Sequence, residues 1–238
     1  MKVSAKNTLL SCEHASHRIP AAHRYLFRNA SDVLASHRGW DPGALECATR
    51  LSKKLNLPLL KGSCSRLLID LNRSLHHRQV FSDYTRLLPK AVRQTIIEDI
   101  YLPYRDQLRQ TIAANITKRG FVLHLSIHSF APVLNGSLRD ADIGLLYDPH
   151  RTHEKNIAAR LQLHLITLDP TLKIRRNYPY RGVADGATTQ CRREFSGRVY
   201  AGVEIEINQK YPLGGDHNRW RQLQDHIILA VNNIFQTT

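Results

Sequence analysis

Two apolar segments of this chain each run out onto a histidine. Asn7-Thr8-Leu9-Leu10-Ser11-Cys12-Glu13 leads to His14, and Phe121-Val122-Leu123-His124-Leu125-Ser126-Ile127 leads to His128. Imidazole readily ligates divalent metals, and a catalytic zinc takes about three protein ligands from His, Asp and Glu while leaving a position for water. Asp41 offers a carboxylate at the start of a helical pattern, directly after Arg38-Gly39-Trp40. The three positions lie far apart in sequence and make no local metal motif. Each also has an ordinary reading, Asp41 as a helix N-cap and the histidines as side chains satisfied by backbone groups.

A second set of groups is Val203-Glu204-Ile205-Glu206-Ile207. A strand's period of two puts both carboxylates on one face and the aliphatic side chains on the other. Carboxylates in an apolar strand are costly unless paired, hydrogen-bonded or bound to metal. A glutamate beside an activated water is a general base for amide hydrolysis. The competing reading is an edge strand with one solvated face, and spacing alone does not separate Glu204 from Glu206. A third stretch, Arg66-Leu67-Leu68-Ile69-Asp70-Leu71, ends on Asn72 and Arg73. The planar fork of arginine matches a carboxylate, and Asp70 is expected to hold Arg73 or Arg66 in place. There is no nucleophile elbow, P-loop or dinucleotide glycine fingerprint.

Buried strands in α/β proteins deliver polar groups at their carboxyl ends, where the sheet opens into a crevice. Strands are expected at residues 9–13, 58–62, 66–71, 121–127, 143–147, 172–175 and 200–207. Helical patterning covers residues 43–55, opened by Asp41 and Pro42, and 89–118, interrupted by Pro103; further helices are expected at 153–165 and 218–235. Alternating strands and helices predict an α/β fold with a mixed, largely parallel sheet covered on both faces. Residues 177–197 are polar and aperiodic and read as a long loop of the kind that carries binding residues.

The chain has 238 residues with 42% hydrophobic and 23% charged, which suits one large globular domain spanning residues 1–238. No apolar run approaches the roughly 20 residues of a membrane span. The first six residues lead directly into a strand-like segment, so no signal peptide is expected. Cys12, Cys47, Cys64 and Cys191 have neither metal-ligand nor disulfide-framework spacing, which fits reduced thiols in a cytoplasm. The net charge of +14 raises nucleic acid as a partner. The basic residues are scattered and lack aromatic interleaving, so none is expected, and some arginines are left to hold an acidic small molecule.

Read together, these segments resemble the N-formylglutamate amidohydrolase family. The resemblance rests on Ser11-Cys12-Glu13-His14-Ala15, Gly39-Trp40-Asp41-Pro42-Gly43-Ala44, Ile69-Asp70-Leu71-Asn72-Arg73, Ser126-Ile127-His128-Ser129-Phe130, Asp142-Ile143-Gly144-Leu145-Leu146-Tyr147-Asp148, Asn177-Tyr178-Pro179-Tyr180 and Glu204-Ile205-Glu206-Ile207-Asn208, in that order. It implies a three-layer α/β/α domain, phosphorylase/hydrolase-like and similar to zinc carboxypeptidases and aspartoacylase. It further implies zinc, or another divalent metal, on His14, Asp41 and His128, with Glu206 as catalytic base. Asn72 and Arg73, with Arg66, would clamp the substrate carboxylate, and Arg176, Asn177 and Tyr180 would complete the pocket. The implied reaction is hydrolysis of a small acidic N-acyl amino acid, most simply N-formylglutamate. Arg181-Gly182-Val183 and Cys191-Arg192-Arg193 depart from the family pattern and leave open another N-acyl amino acid or a peptide-like substrate. A basic scaffold that binds nucleic acid is the alternative outside enzymes.

Overall fold

The structure, a computed structural model, describes residues 2–236. Its centre is a six-stranded sheet in the order β2-β1-β3-β8-β6-β7, made of β1 (Thr8–Cys12), β2 (Leu59–Lys61), β3 (Val122–Phe130), β6 (Ile143–Leu146), β7 (Ile174–Arg176) and β8 (Tyr200–Asn208). A separate hairpin joins β4 (Val133–Leu134) to β5 (Ser137–Leu138). Neighbouring strands are parallel except that β6 runs antiparallel to β8. The sheet is therefore mixed and largely parallel, as expected.

Helices α2 (Ala44–Leu55), α5 (Thr152–Leu168) and α8 (His217–Gln236) cover one face. The other carries α3 (Lys90–Ile96), α4 (Leu102–Arg119) and α6 (Ala187–Glu194). Two short helices, α1 (Ser31–Ala35) and α7 (Lys210–Leu213), sit in connections. The result is three layers, α/β/α, with one apolar core on each side of the sheet.

Alternation along the central strands places the site. Leu123, Leu125 and Ile127 of β3 and Val203, Ile205 and Ile207 of β8 enter the core beneath α2, α5 and α8. The opposite side of these strands begins apolar with Leu9, Val122 and Tyr200. Toward the carboxyl ends it turns polar, through Ser11 and His124 to Ser126, His128, Glu204 and Glu206, all buried. Register sets Ser126 beside Glu204 and His128 beside Glu206. Because β8 lies between β3 and β6, it is a central strand, which removes the solvated-edge reading of its carboxylates.

Four local expectations are corrected. Residues 66–71 form turns rather than a strand. Their apolar run is buried, yet its backbone groups bond to scattered partners, Arg66 N–H to Gly39, Asp70 N–H to Val80, and the Leu68 carbonyl to the Thr85 hydroxyl. A periodic ladder is not needed to satisfy a buried backbone. Residues 177–197 contain α6, whose buried side includes Arg192 and so hides its apolar period. Pro103 does not break the preceding helix, because a π turn at Ile97–Tyr101 links α3 to α4 and places the proline in the first turn of α4. Finally, α2 is capped by Gly43 at φ +81° and not by the Asp41 side chain.

Candidate active site

His14 stands in the turn after β1, His128 near the end of β3, and Asp41 in the turn before α2. The Asp41 N–H donates to the His14 carbonyl at 3.0 Å, and the Ser129 N–H donates to Asp41 Oδ2 at 3.3 Å. Relieved of capping, the carboxylate turns toward the two imidazoles. Asp41 Oδ2 lies 2.9 Å from His128 Nδ1 and 3.4 Å from His14 Nδ1. The rings meet edge to face at 5.1 Å between centroids. One ligand atom from each of the three residues lies within 4.8 Å of the other two, and all three side chains are buried.

The far nitrogen of each ring is held by a second carboxylate. His14 Nε2 is 2.7 Å from Asp70 Oδ1, and His128 Nε2 is 3.2 Å from Glu13 Oε2 and 2.9 Å from the Ser126 hydroxyl. Glu13 also accepts hydrogen bonds from Tyr104 at 2.9 Å and Ser126 at 2.6 Å. Both imidazoles are thus gripped at Nε2 and present Nδ1 to a common point. Such carboxylate–histidine pairs orient a metal ligand and raise its basicity. Asp70, expected to hold Arg73 or Arg66, serves His14 instead; Arg73 Nε approaches its other oxygen only to 3.9 Å. Sequence reasoning gave Glu13 no role. The signal it missed was a carboxylate at the end of an apolar strand, one residue before the histidine.

Burial, then the charge of Arg66, pushes the His14 imidazole down to about 4. It is therefore neutral at ordinary pH, and its buried Nδ1 has no hydrogen-bond partner. Burial acts the same way on His128, but the hydrogen bond and charge of Glu13, with Glu206 and Glu204, override it and push His128 up to about 9. Burial raises Glu206 above the usual carboxylate range, and the charge of Glu204 adds to the effect. The buried carboxylates Glu13, Asp41, Asp70, Glu204 and Glu206 outnumber the cationic groups among them, Arg66, Arg73 and protonated His128. Uncompensated buried charge costs several kcal/mol per ion. A divalent cation among two imidazoles and a carboxylate fits both that deficit and the orphaned Nδ1.

The cluster opens into a cavity of about 150 Å³. Glu204 and Glu206 form part of its wall, Glu204 accepting from the Thr188 hydroxyl and Glu206 keeping Oε2 without a partner. Arg66, Asn72, Arg73 and Tyr180 also face it. Arg66 Nη2 donates to Asp41 Oδ1. Asn72 Oδ1 accepts the Ala187 N–H at 2.7 Å, capping α6, and Arg73 Nη1 donates to the Asp185 carbonyl at 2.7 Å. The Tyr180 hydroxyl accepts from Arg139 at 2.9 Å. Arg176 and Asn177 are not part of the wall. Arg176 is exposed, and Asn177 Oδ1 accepts the N–H groups of Tyr147 and Gly182, shaping the loop rather than the cavity. Arg181 and Asp185, absent from the candidate set, do line it.

A largely parallel α/β/α sheet with a carboxylate-braced His-Asp-His cluster at its carboxyl edge defines an α/β protein with a metal-competent pocket. The family model for N-formylglutamate amidohydrolase matches residues 6–211, and the chain belongs to that family. Its members are amidohydrolases, enzymes acting on amide bonds. A gene product of Agrobacterium tumefaciens is 29% identical with a TM-score of 0.75, the match covering 96% of this chain and 91% of that one. The N-formylglutamate amidohydrolase of Ralstonia eutropha shares the fold at 19% identity and a TM-score of 0.69, over 98% of this chain and 94% of its own. A comparison with curated proteins finds no match. No helix among the described residues is long and apolar enough to cross a membrane.

Proposed function

We propose that this chain is a metal-dependent amidohydrolase that cleaves N-formylglutamate, with water, to formate and glutamate. The observation that carries the reading is the buried pair of imidazoles, each fixed at Nε2 by its own carboxylate and aimed with Asp41 at one point beside an unpartnered Glu206. His14 Nδ1, Asp41 and His128 Nδ1 would hold the cation, and zinc suits this donor set. A bound divalent metal supplies Lewis acidity, polarising the amide carbonyl and acidifying water.

The rest is the work of the chain's own groups. Glu206 Oε2 takes a proton from the water that attacks the formyl carbon and delivers it to the amide nitrogen as the C–N bond breaks. The raised pKa of this carboxyl suits a group that must both accept and return a proton. Arg73, left with one amino group beyond its bond to Asp185, and Asn72, left with its amide N–H groups, bind the substrate carboxylate. Arg66 bridges Asp41 and the cavity, and Tyr180 closes the outer wall.

Metal analysis of the purified protein with an assay of formate release tests the proposal. About one divalent ion per chain and turnover of N-formylglutamate are expected. His128→Ala should lose both, and full activity in that variant would refute the ligand set.

A further inference from the structure

Arg66 and Arg73 face two cavities at once. Besides the small one at the His-Asp-His cluster, they line a larger one of about 510 Å³. Its wall carries Arg38, Arg66, Arg73, Arg78 and Arg86, against the carboxylates Asp70 and Asp83 only. Part of this charge is already answered: Arg86 pairs with Asp83 at 3.2 Å, and Arg66 with Asp41. Arg38 and Arg78 are exposed and make no ion pair among the described residues.

Like charges converging on one cavity repel one another unless an anion enters. The small cavity accounts for one carboxylate, through Arg73 and Asn72, and leaves Arg38 and Arg78 without a role. We infer that the arginine-lined cavity is a second anion subsite adjoining the catalytic pocket at Arg66 and Arg73, and that the chain's substrate class extends beyond N-formylglutamate to N-acylated acidic peptides. The inference rests on the proposed amidohydrolase activity. The scissile amide lies at the metal cluster, the first residue's carboxylate meets Arg73, and the carboxylates of the extension reach Arg38 and Arg78. Guanidinium groups suit carboxylates by their planar, bidentate donors. The net charge of +14 draws such a substrate in from a distance.

The test compares N-formylglutamate with two extended compounds, one carrying a second glutamate through either carboxyl and one carrying neutral alaninamide. In the wild type the diglutamate should exceed the alaninamide compound in kcat/KM by about tenfold or more, the margin lying in KM and shrinking with added salt. Arg38→Ala/Arg78→Ala, checked for an unchanged melting temperature, should erase the margin while leaving N-formylglutamate hydrolysis intact. Equal rates on the charged and neutral compounds, or a margin that survives in the variant, would overturn the subsite. If no N-formyl compound is cleaved, the catalytic reading fails by itself. Calorimetric binding of the diglutamate compound then decides the subsite: weaker binding in the double variant supports it, equal binding refutes it. Loss of single-stranded RNA affinity in the variant with peptide affinity unchanged would also refute it.

Discussion

At the scale of residues, the site works by dividing labour among carboxylates that the chain makes look alike. Glu13 and Asp70 hold imidazoles, Asp41 joins the cluster, Glu204 is tied to Thr188, and Glu206 is the one of these five carboxylates with a fully buried oxygen that has no partner. Glu206→Gln should retain metal and lower kcat by about 10²–10⁴-fold, the usual contribution of a general base; Glu204→Gln should cost much less. Steady-state kinetics with metal analysis would show whether the two differ. The histidines make a pH prediction. His128 in the metal-free protein is raised from 6.5 to about 9, so its contribution to stability is complete below about 6.5 and is lost as pH rises through about 9. The chelated protein should therefore lose up to about 3.5 kcal/mol over that window, at about 1.4 kcal/mol per pKa unit. Metal must displace the same proton, so apparent affinity should rise about tenfold per pH unit up to about 9. Melting curves of chelated protein and calorimetry in two buffers read both effects. A melting temperature flat across that window, with no proton released on metal binding, would contradict the assignment.

At the scale of elements, the outer wall of the cavity depends on a close approach of backbone to backbone. Gly144 of β6 pairs with Glu206, and a Cβ there would collide with the Tyr178 carbonyl and lie 3.3 Å from Glu206 Cβ. The loop bearing Tyr180 and Arg181 can lie down on the sheet because this position has no side chain. Gly144→Ala should push the loop outward, raise KM for N-formylglutamate at least severalfold and cost about 1–3 kcal/mol of stability, the usual price of overpacking. A variant with unchanged KM and stability would show that the loop accommodates the methyl group. The same loop is braced from the other side by Asn177, whose left-handed backbone and two accepted N–H bonds make it a structural residue.

At the scale of the whole molecule, a buried ion pair joins the layers. Glu154 of α5 is fully buried and accepts from Arg192 Nε at 3.0 Å and from the Gly202 N–H at 3.0 Å, while Arg192 donates to the Gly182 and Gly202 carbonyls. Helix α5, helix α6, strand β8 and the cavity loop are thereby tied at one point. Glu154→Ala strands a buried guanidinium and should cost about 3–5 kcal/mol in urea denaturation; a loss below about 1 kcal/mol would mean that solvent reaches Arg192. The sequence by itself determined the alternation of the central strands, and with it the fold class and the sharing of one face by Glu204 and Glu206, because side-chain period is a local property of extended chain; it also put His14 and His128 at the ends of their apolar segments. It also carried the family resemblance in its ordered motifs. Only the tertiary structure decided that Asp41 is freed from capping by Gly43, that Asp70 and Glu13 grip histidines, and that Arg176 and Asn177 miss the cavity. It alone turned residues 66–71 into turns and folded α6 out of an expected loop. Each of these outcomes depends on which groups distant in the chain meet in a water-poor interior, where a buried polar atom must find a partner and no local pattern names it.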